Sequence, residues 1–156
     1  MKNDKYKFTG KNHQKGLMMK IAVSACLLGE NCKYNGGNNY SEKVIDYIKA
    51  HEVVSVCPEL LGGLPIPRES AEIVNGIVRL KDGSSVDKEF RQGAEMALEI
   101  IKEQGAELVI LQSRSPSCGV NTIYDGSFSG RIISGQGVFA ELLRKNGIKV
   151  MDVADL

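Results

Sequence analysis

Four cysteines are the side chains of this 156-residue sequence best suited to chemistry, and they are widely spaced: Cys26-x5-Cys32, then 24 residues to Cys57 and 60 more to Cys118. Thiolates are soft ligands, suited to zinc and to iron–sulfur clusters. Structural zinc usually takes paired cysteines roughly two to four residues apart, so this pattern is a poor knuckle and leaves only a distributed zinc site. No C-x-x-C pair is present, which argues against a thioredoxin-like redox centre. Structural disulfides are disfavoured in a chain read as cytoplasmic, where thiols stay reduced. Iron–sulfur clusters are larger and accept thiolates from distant loops. A cluster held by three thiolates keeps one iron open to substrate, as catalytic zinc keeps an open position. Spacing alone does not separate three ligands from four. The plain alternative is that the cysteines are small buried apolar side chains.

Whether the thiols meet depends on the elements that carry them. Residues 20–25 (KIAVSA) read as a buried strand that runs into a Gly- and Asn-rich loop over 26–37. Ser41 is a candidate N-cap for a helix over 42–50, with Val44, Ile45 and Ile48 on one face. Residues 53–57 form a second strand, which Pro58 ends by withholding an N–H. The stretch 59–67, rich in glycine and proline, reads as a loop. Residues 73–80 read as a small hairpin turning at Asn75-Gly76. Ser84 or Ser85 then caps a helix over 86–104, with Phe90, Ala94, Ala97, Leu98 and Ile101 as its core stripe and Gly105 as its stop. A third strand spans 107–111, an irregular stretch with a turn at Asp125-Gly126 fills 120–137, a last helix spans 137–146, and a fourth strand covers 148–151.

Strands that alternate with helices predict an α/β fold: one domain with a mostly parallel sheet and flanking helices, Rossmann-like in three layers, with a small β-hairpin insertion. Ligands of such sheets bind beyond the carboxyl ends of the strands. Cys26 ends the first strand, Cys57 the second, and Cys118 lies in the loop that leaves the third. Neighbouring strands are roughly 4.8 Å apart, which brings those ends within about 5–10 Å of one another. Cys32 shares the loop of Cys26 and reaches the same place. The thiols are expected to converge on one site.

The length suits a single domain with a real core, and 42% hydrophobic against 25% charged residues excludes a largely disordered chain. No stretch of about 18 apolar residues is present to span a membrane, and the lysine-bearing N-terminus lacks the apolar segment of a signal peptide. The expected location is the cytoplasm. Residues 1–20 carry six lysines against one aspartate, whereas the chain as a whole is only +1. The body is therefore mildly acidic, unlike the dense basic face of a nucleic-acid binder. We divide the chain into a flexible basic extension over 1–18 and a folded domain over 19–156. The extension is read as solvated, with contact to RNA or a membrane surface as the minor alternative.

Five blocks carry a resemblance: SACLLG over 24–29, CKYNGG over 32–37, CPELLGGLP over 57–65, RSPSCG over 114–119 and IYDG over 123–126. In this order, and spread over nearly all of 19–152, they resemble a small bacterial domain family, formerly of unknown function, whose characterised members are iron–sulfur-dependent thiouracil desulfurases. The resemblance implies a cubane 4Fe-4S cluster held by three cysteines, with its open iron capturing a thiocarbonyl sulfur. By motif those ligands are Cys26, Cys57 and Cys118. Cys32 stays open as a substitute ligand, a proton or sulfur carrier beside the cluster, or a structural residue. The chain departs from the family pattern at Lys33, Asn35 and Gln112, where arginine, aspartate and lysine are usual.

Desulfuration by water needs a base and a proton donor. Glu59, two residues after a proposed ligand, is the candidate for both tasks, with a surface or capping carboxylate as the plain reading. Ser115 and Ser117 flank Cys118 as further catalytic candidates. Ser113, Tyr34 and Tyr124 are candidates to bind and wall a flat pyrimidine. Neither His13 nor His51 is given a role. The expected partner is a small thiolated nucleobase, with no nucleic acid and no membrane. Two other readings compete: a zinc- or cluster-binding module without catalysis, and a nucleotide-binding regulatory domain. The latter lacks a G-x-G-x-x-G after its first strand and has only residues 134–137 (SGQG) to cradle a phosphate.

Overall fold

The computed structural model describes residues 18–156, so His13 and nearly all of the basic extension lie outside the described residues. In chain order the elements are β1 (Lys20–Ser24), α1 (Glu42–Ile48), β2 (Glu52–Val56), α2 (Pro58–Leu61), β3 (Ala71–Val74), β4 (Ile77–Leu80), α3 (Asp87–Gln104), β5 (Leu108–Leu111), β6 (Thr122–Tyr124), β7 (Ile132–Ser134), α4 (Val138–Lys145) and β8 (Lys149–Asp152). Four of the strands form one parallel sheet in the order β2-β1-β5-β8. The expected α/β class with a helix-flanked parallel sheet is the observed one.

Period-two alternation sorts the strand residues between two cores. Ile21, Val23, Leu108 and Ile110 face one side, where α1 supplies Val44 and Ile48. Ala22, Val109 and Leu111 face the other, against Phe90, Ala94, Ala97 and Leu98 of α3 and Phe139 and Leu143 of α4. Burial on both faces explains why β1 and β5 are continuous apolar runs. No helix among the described residues is long and apolar enough to cross a membrane.

From β1 the chain passes to β2 on one side, while β5 lies on the other. The carboxyl ends of β1 and β5 therefore flank the point where strand order reverses, the usual ligand position in open α/β sheets. Cys26 follows β1 and Cys118 follows β5.

Four local expectations are corrected. Residues 59–67 are not all loop, since Pro58 sits at the first position of the one-turn α2, where its missing N–H is harmless. The stretch 120–137 is not wholly irregular, because β6 and β7 pair antiparallel across it; each is only three residues long, too short to show a period. Neither serine holds the N-cap position of α3, although Ser85 Oγ accepts the N–H of its first residue, Asp87, at 3.2 Å. Val86 holds the N-cap position and its N–H donates to Val78 O, while Val78 N–H donates to Asp87 Oδ1, so the hairpin fixes the helix start. The first turn of α4 offers no phosphate cradle either: the amides of Gly137, Val138, Phe139 and Ala140 donate to carbonyls of Gly119, Pro116 and Ser117. Those donors are consumed in holding the Cys118 loop.

Helix α2 packs so closely on α3 that a Cβ at Gly93 would overlap Pro58 O, and one at Gly62 would overlap Glu89 O. In an exposed helix interior Gly→Ala gains about 1 kcal/mol. Here overpacking governs, and Gly93→Ala is expected to destabilise by about 1–3 kcal/mol in chemical denaturation. A stabilised variant would contradict the close contact.

Candidate active site

Beyond the carboxyl edge of the sheet lies a cavity of about 460 Å³, and all four cysteines line it. That volume is within the roughly 300–1,000 Å³ common for small-molecule sites. Cys26 is carried on a 3-10 turn after β1, which Gly29 closes with a positive φ of 96° and an N–H bonded to Cys26 O. Cys57 follows β2 directly and holds the N-cap position of α2, where the nearby Leu60 amide favours its charged form. Cys118 rides the loop that α4 clamps. Cys32 is buried and brought back to the same cavity by the loop that follows the 3-10 turn.

The thiols are neighbours in one cavity. The nearby Cys26 and Cys57 sulfurs, together with burial, push the ionisation of Cys32 far up. Cys32 in turn, reinforced by Asn39 Nδ2–H at 3.4 Å, brings Cys26 down to about 7 against the opposing effect of burial. Cys57 is lowered first by Cys32 and further by the Leu60 amide. Burial pushes Cys118 up, and a hydrogen bond with Ser24 opposes that shift. Among the described residues no group of three or more His, Cys, Asp and Glu side chains has the arrangement to hold a metal ion by itself. A set of four soft sulfurs around a roomy cavity suits a bulkier, sulfur-rich body.

Glu59 also lines the cavity, and its largely buried carboxylate, 18% exposed, pairs with Arg68. Arg68 Nε and Nη2 both donate to Oε1, at 3.0 and 2.8 Å, and among the described residues none donates to Oε2. Burial raises the carboxyl above its usual range, and the guanidinium pulls it partly back. Arg68 also donates to Cys32 O at 2.9 Å and to Pro65 O at 3.1 Å, so one cation ties the Cys32 loop to the Glu59 segment.

Ser113, Ser115, Tyr34 and Tyr124 line the cavity as expected of wall residues, and Tyr34 is 43% exposed at its mouth. Ser113 Oγ–H donates to buried Asp152. Ser115 Oγ accepts from the N–H of Ser117 and of Cys118, so it shapes the loop. Ser117 corrects its expected catalytic role: it is 1% exposed, does not line the cavity, and its Oγ lies 3.9 Å from Cys118 Sγ. His51 Nδ1 accepts from Met19 N–H and stays outside the site.

A family model for 2-thiouracil desulfurases matches residues 21–155. The chain belongs to that family. A solved structure described as a 4Fe-4S-dependent thiouracil desulfidase, TudS, superposes with a TM-score of 0.83 at 40% identity, covering 88% of this chain and 93% of that one. An uncharacterised Bacillus subtilis protein, YbbK, is 42% identical over 146 residues, which is 87% of this chain and 97% of the relative.

For this desulfurase-family chain, sequence reasoning missed Arg68, Asn39 and Ser24. A carboxylate expected inside an apolar cavity calls for a cation, and Arg68 in the following Pro-rich loop was the available one. Ser24 and Asn39 carried no such signal, because short polar side chains near a loop are ordinary. Removing Arg68 leaves Glu59 as an unpaired buried charge, so Arg68→Ala is expected to destabilise by about 3–5 kcal/mol at neutral pH. Adding Glu59→Gln should recover much of that loss in urea unfolding. Equal destabilisation of the single and double variants would contradict the buried pair.

Proposed function

We propose that this protein hydrolyses a thiolated pyrimidine at a 4Fe-4S cluster, so that thiouracil and water give uracil and hydrogen sulfide. One observation carries the reading: thiols from the ends of three parallel strands line a single cavity in a chain of the 2-thiouracil desulfurase family. Its likeness to TudS, described as 4Fe-4S-dependent, supports the choice of cluster.

Cys26, Cys57 and Cys118 hold the cluster in this reading. Cys26 takes a hydrogen bond from Asn39, and the Leu60 amide and Ser24 favour the charged forms of Cys57 and Cys118, as lasting thiolates would require. Among the described residues the Cys32 sulfur has no side-chain partner beyond Cys26 and Cys57, and in this reading it falls outside the ligand set. When bound, the cluster supplies a Lewis-acidic iron with an open position for a soft thiocarbonyl sulfur, which leaves the attached carbon electron-poor.

The rest falls to the protein. Glu59 Oε2, free of donors among the described residues, takes a proton from the attacking water and later returns it to the departing sulfur. Arg68 fixes the other oxygen, so it aims the carboxylate and offsets part of the cost that burial puts on its charge. Ser113, whose proton is given to Asp152, offers its lone pairs to a ring N–H. Tyr34 and Tyr124 wall the flat ring, and Ser115 positions Cys118 through the backbone.

Anaerobic reconstitution with iron and sulfide, followed by incubation with 2-thiouracil, tests the proposal. Sulfide and uracil should appear in equal amounts, and a loaded protein that releases neither would overturn the activity. Glu59→Gln should keep its iron content while turnover falls by roughly 10²–10⁴-fold. Unchanged turnover would remove Glu59 from the chemistry.

A further inference from the structure

We propose that Cys32 guards the unloaded site: with a peroxide as oxidant it closes a disulfide to Cys26 and shields that sulfur from irreversible oxidation. The mechanism above gives Cys32 no task, yet it is buried and lines the same cavity as Cys26. Its covalent partner follows from the backbone. Residues 26 and 32 share one short loop, folded by Glu30 N–H to Ala25 O at 3.3 Å and Cys32 N–H to Glu30 O at 2.9 Å. That turn keeps positions 26 and 32 on one wall of the cavity, and a disulfide would bring their sulfurs to about 2.05 Å.

Cys57 is less able to move. It is fixed between β2 and α2, and α2 is wedged against α3 at Gly62 and Gly93. Cys118 has serine hydroxyls as its side-chain hydrogen-bond partners and lies on the loop clamped by α4. It should stay a thiol.

Cys26, half-buried where Cys32 is buried, meets the oxidant first. Its sulfur takes one peroxide oxygen to become a sulfenic acid, and one water leaves. The Cys32 sulfur then attacks that sulfur and a second water leaves. In total, two S–H bonds are exchanged for one S–S bond and the peroxide is reduced to two waters. Without Cys32 the sulfenic acid would remain open to oxidation to sulfinic acid, which thiol reductants do not reverse. The consequence for cluster loading rests on the reading of Cys26 as a ligand, whereas the pairing does not.

Peptide mapping tests the pairing in the full chain stripped of metal, treated with hydrogen peroxide and alkylated. Tryptic cleavage leaves Cys26 and Cys32 together in residues 21–33, Cys57 in 50–68 and Cys118 in 115–131. The 21–33 peptide should lose two hydrogens and resist alkylation until a thiol reductant is added, while 115–131 remains alkylatable. Peroxide should abolish iron uptake, and reductant should restore it in the native protein but not in Cys32→Ser. A fully alkylatable 21–33 peptide, a link from 21–33 to 50–68, or equal recovery of Cys32→Ser would overturn the proposal. An intact disulfide with undiminished iron uptake would instead overturn the ligand role of Cys26 and leave the pairing standing.

Discussion

Parallel strands lie side by side at a fixed spacing, and their carboxyl ends share one edge. That constraint governs the rest of the molecule. It makes neighbours of Cys26, Cys57 and Cys118, although as many as 91 residues intervene between two of them. Right at the point where strand order reverses, the loops diverge and leave a cavity that the sulfurs line. Both faces of the sheet are buried under helices, so the edge is held rigidly without help from the site itself.

Polar groups complete what the sheet begins. Arg68 links Glu59 to the backbone of the Cys32 loop, and so joins a buried charge to the segments that bear two of the thiols. The first-turn amides of α4 hold the Cys118 loop from the opposite side. Ser115 accepts the Cys118 N–H and finishes that turn. Removing one partner of such a network leaves the other buried without compensation, so these residues act together.

Much of this was legible in the residues. The buried strands were apolar runs and the long helix carried a clear stripe, so the parallel sheet and the gathering of cysteines at one edge could be anticipated. The hairpin turn at Asn75-Gly76 was equally plain, since both residues have positive φ, 51° and 82°. What stayed hidden depends on contacts between distant segments. The β6–β7 pair is too short for periodicity, and Val86 occupies a cap position that only the neighbouring hairpin makes sense of. Ser117 looked like its two neighbouring serines in sequence, yet its side chain is buried away from the cavity. Arg68 gained its importance from Glu59 and Cys32, nine and thirty-six positions away.

The central claim is that sulfurs brought together by strand pairing hold one inorganic cluster. Iron and acid-labile sulfide should be counted per chain after anaerobic reconstitution of four single cysteine-to-serine variants. Loss of the cluster from the variants at Cys26, Cys57 and Cys118, with full loading of the one at Cys32, is the result the account predicts. Full loading after removal of any of those three would contradict it.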